Sequence, residues 1–164
     1  MEIKFLEIDL EKDLIAIETV AKKSFSVTPD ATLAEWFNFD YMVKMIKEDR
    51  GLCLKAVADN NDIAGMIFAL QESPINGKEG VEKWVIIIAG VDPKYTNQGI
   101  GTLLLQKLEE LVKVRGVKKM FTYTNKDDIK VINFYRKNGY EDAGWIKDYQ
   151  YGKDNSAAFL LKSL

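Results

Sequence analysis

The sequence of 164 residues contains no histidine and a single cysteine, Cys53. Without histidine the chain cannot build a Ser-His-Asp or Cys-His nucleophile system, so acid and base chemistry must come from carboxylates, tyrosine, lysine or water. One cysteine cannot form a disulfide within the chain, and a Cys/His metal site has no imidazole to draw on. We therefore expect no metal, and we interpret Cys53 as a small apolar residue of a strand.

An excess of positive charge and a long apolar run are also missing. The 23 basic and 25 acidic residues give a net charge of −2, which does not favour a phosphate backbone, so we expect no nucleic-acid partner. The longest apolar run, residues 84–91, is far shorter than the ~18 residues of a membrane span, so we expect no membrane partner. Residues 1–10 carry Glu2, Glu7 and Asp9 among apolar residues, unlike a signal or transit peptide. These observations predict a cytoplasmic protein.

The length is close to the ~150 residues typical of one domain, and we predict a single domain over residues 1–164. Apolar periodicity and turn residues predict an alternation of strands and helices. In chain order these are a strand at 3–8, a helix to Phe25, a break at Pro29 and Asp30, a second helical stretch over 33–46, a hairpin of 52–58 and 63–70, a surface loop at 71–83, a strand at 84–91, a helix over 100–115, a strand at 119–124, a helix from Asp127 or Asp128 to Asn138, and closing strands at 140–151 and 157–164.

The glycine-bearing segment 91–102, between a buried strand and a long amphipathic helix, carries the strongest chemical signal. A strand that leads through such a turn into a helix directs free backbone N–H groups and the positive end of the helix dipole at one point, which suits pyrophosphate. Gly99 and Gly101 allow close backbone approach, and Thr102 adds a hydroxyl. A plain helix-entry turn is the alternative interpretation. Two other phosphate loops are excluded, because no Gly-Lys-Ser/Thr follows and Leu104 replaces the third glycine of the dinucleotide fingerprint.

Two motifs resemble those of the GNAT N-acetyltransferase superfamily. Val91-Asp92-Pro93 followed by Gln98-Gly99-Ile100-Gly101 resembles its acetyl-CoA loop, Val-x-Pro and then Arg/Gln-x-x-Gly-x-Gly/Ala at the start of a helix. The segment 134–140, Phe-Tyr-Arg-Lys-Asn-Gly-Tyr, resembles a second motif in which an aromatic pair precedes basic residues and Gly-Phe/Tyr. Thr96 replaces an Arg/Gln of the family, which removes a side-chain donor to pyrophosphate and leaves the backbone donors. The element order agrees over essentially the whole chain.

The resemblance implies an α/β (α+β) fold with a mixed, mostly antiparallel sheet of about seven strands and four flanking helices. Its fourth and fifth strands would splay apart at a bulge near Ala89-Gly90-Val91 and admit acetyl-CoA. The position before the fourth of these helices, where the family often has an asparagine near the cofactor, would be held by Asn125 or Asp128. For Asn125, a role as turn residue or helix cap is the alternative. The implied cofactor-binding residues are Ala89, Gly90, Val91, Thr96, Asn97, Gln98, Gly99, Ile100, Gly101, Thr102, Asn125 and Tyr135.

The implied activity is acetyl-CoA-dependent N-acetylation, in which an unprotonated amine attacks the thioester and the CoA thiolate leaves a tetrahedral intermediate. Tyr135 matches the position of the acid that protonates the thiolate, and a core aromatic residue is the alternative role. The strand at 84–91 lacks the glutamate that many relatives carry. Glu82, or a water molecule held by a carboxylate, is therefore the predicted general base in preference to Asp92, which this motif uses in a turn.

The resemblance also implies an acceptor with a primary amine, in a small molecule, a peptide N-terminus or a lysine side chain. Segments 26–39, 71–83 and 149–155 would recognise it, because their aromatic and acidic residues suit a cationic amine. We expect a monomer or homodimer. A second hypothesis is a non-catalytic module that binds or senses CoA or acetyl-CoA, which Thr96 and the missing strand carboxylate both allow.

Overall fold

A seven-stranded sheet organises the described part of the chain. The structure, a computed structural model, describes residues 2–25, 33–152 and 154–164. The strands are β1 (Ile3–Glu7), β2 (Gly51–Ala58), β3 (Ile63–Gln71), β4 (Lys83–Val91), β5 (Lys119–Asn125), β6 (Glu141–Ile146) and β7 (Ala157–Ser163). Their order is β1-β2-β3-β4-β5-β7-β6, and among these neighbours β4 and β5 alone are parallel. The predicted mixed, mostly antiparallel sheet is confirmed.

Helices cover both faces of this sheet. They are α1 (Leu14–Phe25), α2 (Leu33–Trp36), α3 (Phe39–Lys47), α4 (Gly77–Glu82), α5 (Ile100–Val114) and α6 (Ile129–Lys137), with 3₁₀ turns at Pro74–Asn76 and Pro93–Tyr95. One core packs α1 and α3 against β2, β3 and β4, and the other packs α5 and α6 against the opposite face. The buried side chains of α5 recur at helical spacing, which is why its polar residues face outward; they are Ile100, Leu104, Leu105, Leu108 and Val112.

Segment 71–83 is not the predicted surface loop, because it contains a 3₁₀ turn and α4. Two glycines in six residues give α4 a weak intrinsic helix preference, which tertiary contact overrides. Gly80 packs so closely on the backbone before the 3₁₀ turn that a Cβ there would lie 1.7 Å from the Ser73 carbonyl oxygen. The local sequence of residues 71–83 could not predict this tertiary contact.

Two other predicted elements differ at their boundaries. The second helical stretch is divided into α2 and α3, because the Asn38 side chain accepts a hydrogen bond from the Tyr41 N–H at 3.0 Å and starts a new helix. The predicted strand at 140–151 ends at Ile146, where pairing with β7 stops at Ala157. The helix break predicted at Pro29 and Asp30 lies outside the described residues.

A β-bulge lies in β4, and it is at Ile87 rather than near Ala89-Gly90-Val91. Phe68 of β3 pairs with Ile88, whereas the next residue of β3 pairs with Ile86, so Ile87 is the extra residue. Before the bulge Ile86 packs in the core under α5, and after it Ile88 packs in the core under α1. The bulge therefore reverses the faces to which β4 directs its side chains.

Cys53 is a core residue of β2, as the sequence predicts, and its side chain is 1% exposed. Burial, assisted by the negative charge of Asp13, raises the pKa of its thiol well above the usual range. Because the thiolate is the reactive species, we expect Cys53 to be inert in the folded protein.

Labelling of Cys53 with a disulfide reagent at pH 8 should be at least ~100-fold slower in the native protein than in urea, since it requires an opening of the structure. Immediate stoichiometric labelling of the native protein, absent in Cys53→Ala, would contradict this placement.

Candidate active site

The parallel pair β4 and β5 separates into a fork. Pairing runs from Lys83 with Lys119 to Ile86 with Thr122 and then stops. Beyond it β4 continues through residues 87–91 beside β3, and β5 continues through residues 123–125 beside β7. We call the gap between these two segments the fork and the Ile86–Thr122 pair its apex. Alternate backbone N–H and C=O groups of both strands point into the fork without a strand partner there, so a polar chain can bind along either edge.

Residues 92–102, which we call the anion loop, connect the open end of the fork to α5. Gly99 caps α5 in the left-handed region (φ +77°), and Asn97 is also left-handed (φ +62°). Nothing within the described residues accepts a hydrogen bond from the backbone N–H groups of residues 97–102. Free N–H groups at the start of a helix, together with the positive end of the α5 dipole, suit an anion such as pyrophosphate.

Thr96 and Gly101 occupy different positions in the anion loop. The Thr96 hydroxyl donates to the Pro93 carbonyl oxygen at 3.1 Å, so it closes the 3₁₀ turn. A Cβ at Gly101 would lie 3.5 Å from the Phe134 ring and 3.7 Å from Val91 Cγ2. Gly101 therefore faces the space between the end of β4 and α6.

Tyr135 lies on α6 and is 4% exposed. The rings of Phe134 and Tyr140 contact it edge-on, with centroids at 5.1 and 5.3 Å. Burial raises the pKa of the phenol to about 12, opposed by the Thr122 hydroxyl beside it. Since the Thr122 hydroxyl also donates to the Ile86 carbonyl at 3.2 Å, Tyr135 is at once a core aromatic residue and a neighbour of the apex.

The two candidate bases lie at opposite ends of β4. Glu82 is the last residue of α4 and immediately precedes β4, and its carboxylate is 3.7 Å from the Lys78 ammonium. Ile86 is four positions further along the chain, which is roughly 13 Å along a strand. The Asp92 carboxylate at the other end accepts from the Lys94 N–H at 2.9 Å and from the Lys23 ammonium at 3.2 Å. The structure brings neither carboxylate to the apex.

Asn125 ends β5, at the open end of the fork. Its side-chain oxygen accepts from the Asp127 N–H at 2.8 Å, and its amide donates to Asn155 at 2.7 Å. Asn125 therefore has the turn role that the sequence analysis gave as the alternative. Its side chain also contacts the loop between β6 and β7. The cap of α6 is Asp128, which accepts from the Val131 N–H at 3.1 Å.

An aromatic group lies on the sheet face opposite Tyr135, and sequence analysis did not find it. Tyr123 follows Thr122 along β5, so the two side chains point to opposite faces. Its ring contacts Phe159 of β7 and Tyr149, with all three centroid distances between 5.2 and 5.3 Å. Tyr149 belongs to a predicted recognition segment, whereas Tyr123 and Phe159 were detectable only as strand residues. The fork thus has a tyrosine on each face of the sheet.

None of the described helices is long and apolar enough to span a membrane. The described residues also contain no group of three or more histidine, cysteine, aspartate or glutamate side chains placed to bind a metal ion.

The sequence model of the acetyltransferase (GNAT) family matches residues 13–140, which include the fork, the anion loop and Tyr135. An uncharacterized protein of Bacillus subtilis (strain 168), YxbD, is 35% identical over 82 residues, covering 50% of this chain and 45% of that protein. The chain spans about half the length of the curated relatives it matches.

Solved structures of low sequence identity share the fold. The PaiA N-acetyltransferase of Thermoplasma acidophilum, in complex with coenzyme A, is 20% identical with a TM-score of 0.70 and full coverage of both chains. The ribosomal-protein-S18-alanine N-acetyltransferase of Escherichia coli is 18% identical with a TM-score of 0.74, covering 99% of this chain and 94% of that one.

Proposed function

Because the chain belongs to the acetyltransferase (GNAT) family, we propose that it transfers the acetyl group of acetyl-CoA to a primary amine. The observation that carries this proposal is the fork, with unsatisfied backbone donors at its open end and a buried tyrosine beside its apex. A pyrophosphate at one end and a thioester at the other are the two ends of the site that acetyl-CoA requires. We propose residues 1–164 as one cytoplasmic domain, acting as a monomer or homodimer.

The anion loop would bind the pyrophosphate through its backbone N–H groups, and the β4 edge would bind the pantetheine arm. From the apex to the end of β4 is five residues, roughly 16 Å of strand. The acetyl thioester would then lie near Thr122 and Tyr135. The residues that we assign to acetyl-CoA are Ala89, Gly90, Val91, Thr96, Asn97, Gln98, Gly99, Ile100, Gly101, Thr102, Asn125 and Tyr135.

Gly101 gives the cleaner test of the anion loop, because a side chain at Gly99 would be strained at φ +77°. Gly101→Val should weaken CoA binding about tenfold or more, since its methyl groups would fill the space between Val91 and Phe134 and displace the ligand from a charged hydrogen bond. Thr96→Ala is the control and should change CoA affinity little, because we assign Thr96 to the ligand through its backbone alone and its hydroxyl already donates to the Pro93 carbonyl. Calorimetric titration with CoA measures both. The reverse ranking would show that the loop is assigned incorrectly.

In the proposed reaction a neutral amine attacks the thioester carbonyl, the new C–N bond forms, and collapse of the tetrahedral oxyanion breaks the C–S bond. Tyr135 donates its phenolic proton to the departing sulfur, the attacking nitrogen releases one proton to water, and the tyrosinate then regains a proton from solvent. A phenol with a pKa of about 12 is a weak acid in water, but a thiolate that leaves into the same buried space is desolvated as well. Burial penalises both anions, so their proton affinities remain comparable.

Tyr135→Phe should lower kcat by ~10²–10⁴-fold and leave the KM for acetyl-CoA nearly unchanged, because a general acid acts mainly in the transition state. Since its pKa is raised to about 12, the phenol stays protonated below that pH. The wild-type rate should therefore show no alkaline decline from this group below about pH 11. The control is Tyr140→Phe, which removes another buried hydroxyl from a contacting ring. Wild-type turnover in Tyr135→Phe, with chemistry rate-limiting, would return Tyr135 to a packing role.

The acceptor would approach the sheet face that carries Tyr123, Tyr149 and Phe159, because Tyr135 and the anion loop lie toward the other face. Aromatic rings at this entrance suit an amine that carries a cationic or apolar group.

Glu82 stays a candidate base only through a chain of water molecules, given its distance from the apex. Glu82→Gln should therefore lower activity less than Tyr135→Phe does.

Release of free CoA thiol from acetyl-CoA, measured with a panel of small amines, lysine peptides and peptides with free N-termini, tests catalysis itself. An enzyme releases thiol with at least one amine and forms the acetylated amine in equal amount, as mass spectrometry would show. Tyr135→Phe serves as the matched blank for each amine. Binding of CoA without thiol release across the panel would favour the alternative, a CoA-binding or sensing module.

A further inference from the structure

The turn between β2 and β3 contacts the base of the anion loop. One oxygen of the Asp62 carboxylate accepts a hydrogen bond from the Tyr95 hydroxyl at 2.8 Å. The same oxygen accepts from the Lys94 ammonium at 3.0 Å and from the Asn60 amide at 2.8 Å. With the Lys94 ammonium as the largest contributor, these donors lower the pKa of Asp62 to about 2. Asp62 is therefore charged at any pH at which the protein would work.

Tyr95 connects this carboxylate to the ligand-binding part of the loop. Its side chain is 5% exposed and packs in the core under α5. It ends the 3₁₀ turn, two residues before Asn97, where the free backbone donors begin. The strand ends are tied as well, since the Asp92 N–H donates to the Ala64 carbonyl at 2.9 Å. The turn of β2 and β3 thus fixes one side of the loop whose N–H groups must converge.

The three donors do not contribute equally. Lys94 and Asp62 are 64% and 49% exposed in their side chains, and an ion pair of that exposure stabilises little. The Tyr95 hydroxyl belongs to a buried ring and donates to a charged acceptor, which is a stronger class of hydrogen bond. Tyr95 is therefore the contact through which Asp62 can act on the loop.

We propose that Asp62 is a positioning residue for acetyl-CoA, which fixes Tyr95 and so directs the N–H groups of residues 97–102 at the pyrophosphate. The proposal rests on the proposed function. Charge repulsion alone would have the opposite effect on CoA affinity. A carboxylate next to an anion site repels the ligand, so removal of its charge should strengthen CoA binding. If Asp62 positions the loop, removal of its charge should instead weaken CoA binding. The sign of the change in affinity separates the two.

Asp62→Asn should weaken CoA binding about tenfold, the size expected when the hydrogen bond from Tyr95 loses its charged acceptor and keeps only a neutral amide oxygen. Turnover at saturating acetyl-CoA should stay at the wild-type value, so the change appears in KM and not in kcat. Binding of pantetheine, and kcat/KM with acetyl-pantetheine, should be unaffected because these ligands lack the pyrophosphate. Tyr95→Phe should weaken CoA binding at least as much, and the double variant should be no worse than Tyr95→Phe alone, since both substitutions act on the one contact between Asp62 and Tyr95.

Asp59→Asn is the matched control. It makes the same charge change in the same turn, but the Asp59 carboxylate accepts from the Glu2 N–H at 3.0 and 3.1 Å and does not contact the loop. CoA affinity of this variant should equal that of the wild type. Failure of the wild-type protein to bind CoA would refute the proposed function. Equal or tighter CoA binding by Asp62→Asn, or an equal loss with pantetheine, would refute the positioning role while leaving that function intact.

Discussion

The short pairing between β4 and β5 is the constraint on which the candidate site depends. Four residue pairs join the strands, after which each strand follows a different neighbour. The bulge at Ile87 accompanies this separation, because the extra residue turns β4 and reverses its side chains just beyond the last pair. Tyr135, Thr122, the anion loop and the aromatic group of Tyr123 all take their relation to one another from this fork.

The sequence predicted the parts of the site that are local. Gly99, Gly101 and the change from strand to helix periodicity located the anion loop, and the motif around Tyr135 located α6. The bulge could not be located, because Ile86, Ile87 and Ile88 are chemically identical and carry no sign of which one is the extra residue. The helix within 71–83 depends on Gly80 packing on Ser73, a tertiary contact without a periodic pattern.

Contacts between distant segments account for the remaining differences. Asp62 and Tyr95 are 33 positions apart. They meet because β3 and β4 are antiparallel neighbours, so the turn before β3 lies beside the loop after β4. The residues at 59–62 indicate only a turn, because they tolerate left-handed backbone, which Asn61 adopts with φ +64°. They give no sign of a contact with the anion loop. Glu82 shows the opposite case: it is near the buried strand in sequence, yet the strand direction carries it away from the apex.

The fork also has a mechanical consequence. It divides the sheet into two leaves, β1-β2-β3-β4 and β5-β7-β6, whose strands are joined across the middle by four residue pairs. Beyond those pairs the facing backbone edges must be satisfied by water or by a ligand. A ligand that hydrogen-bonds to both edges would act as a strut between the leaves and resist their rotation. Amide exchange in residues 87–91 and 123–125 would then slow together on binding, because one strut restrains both leaves.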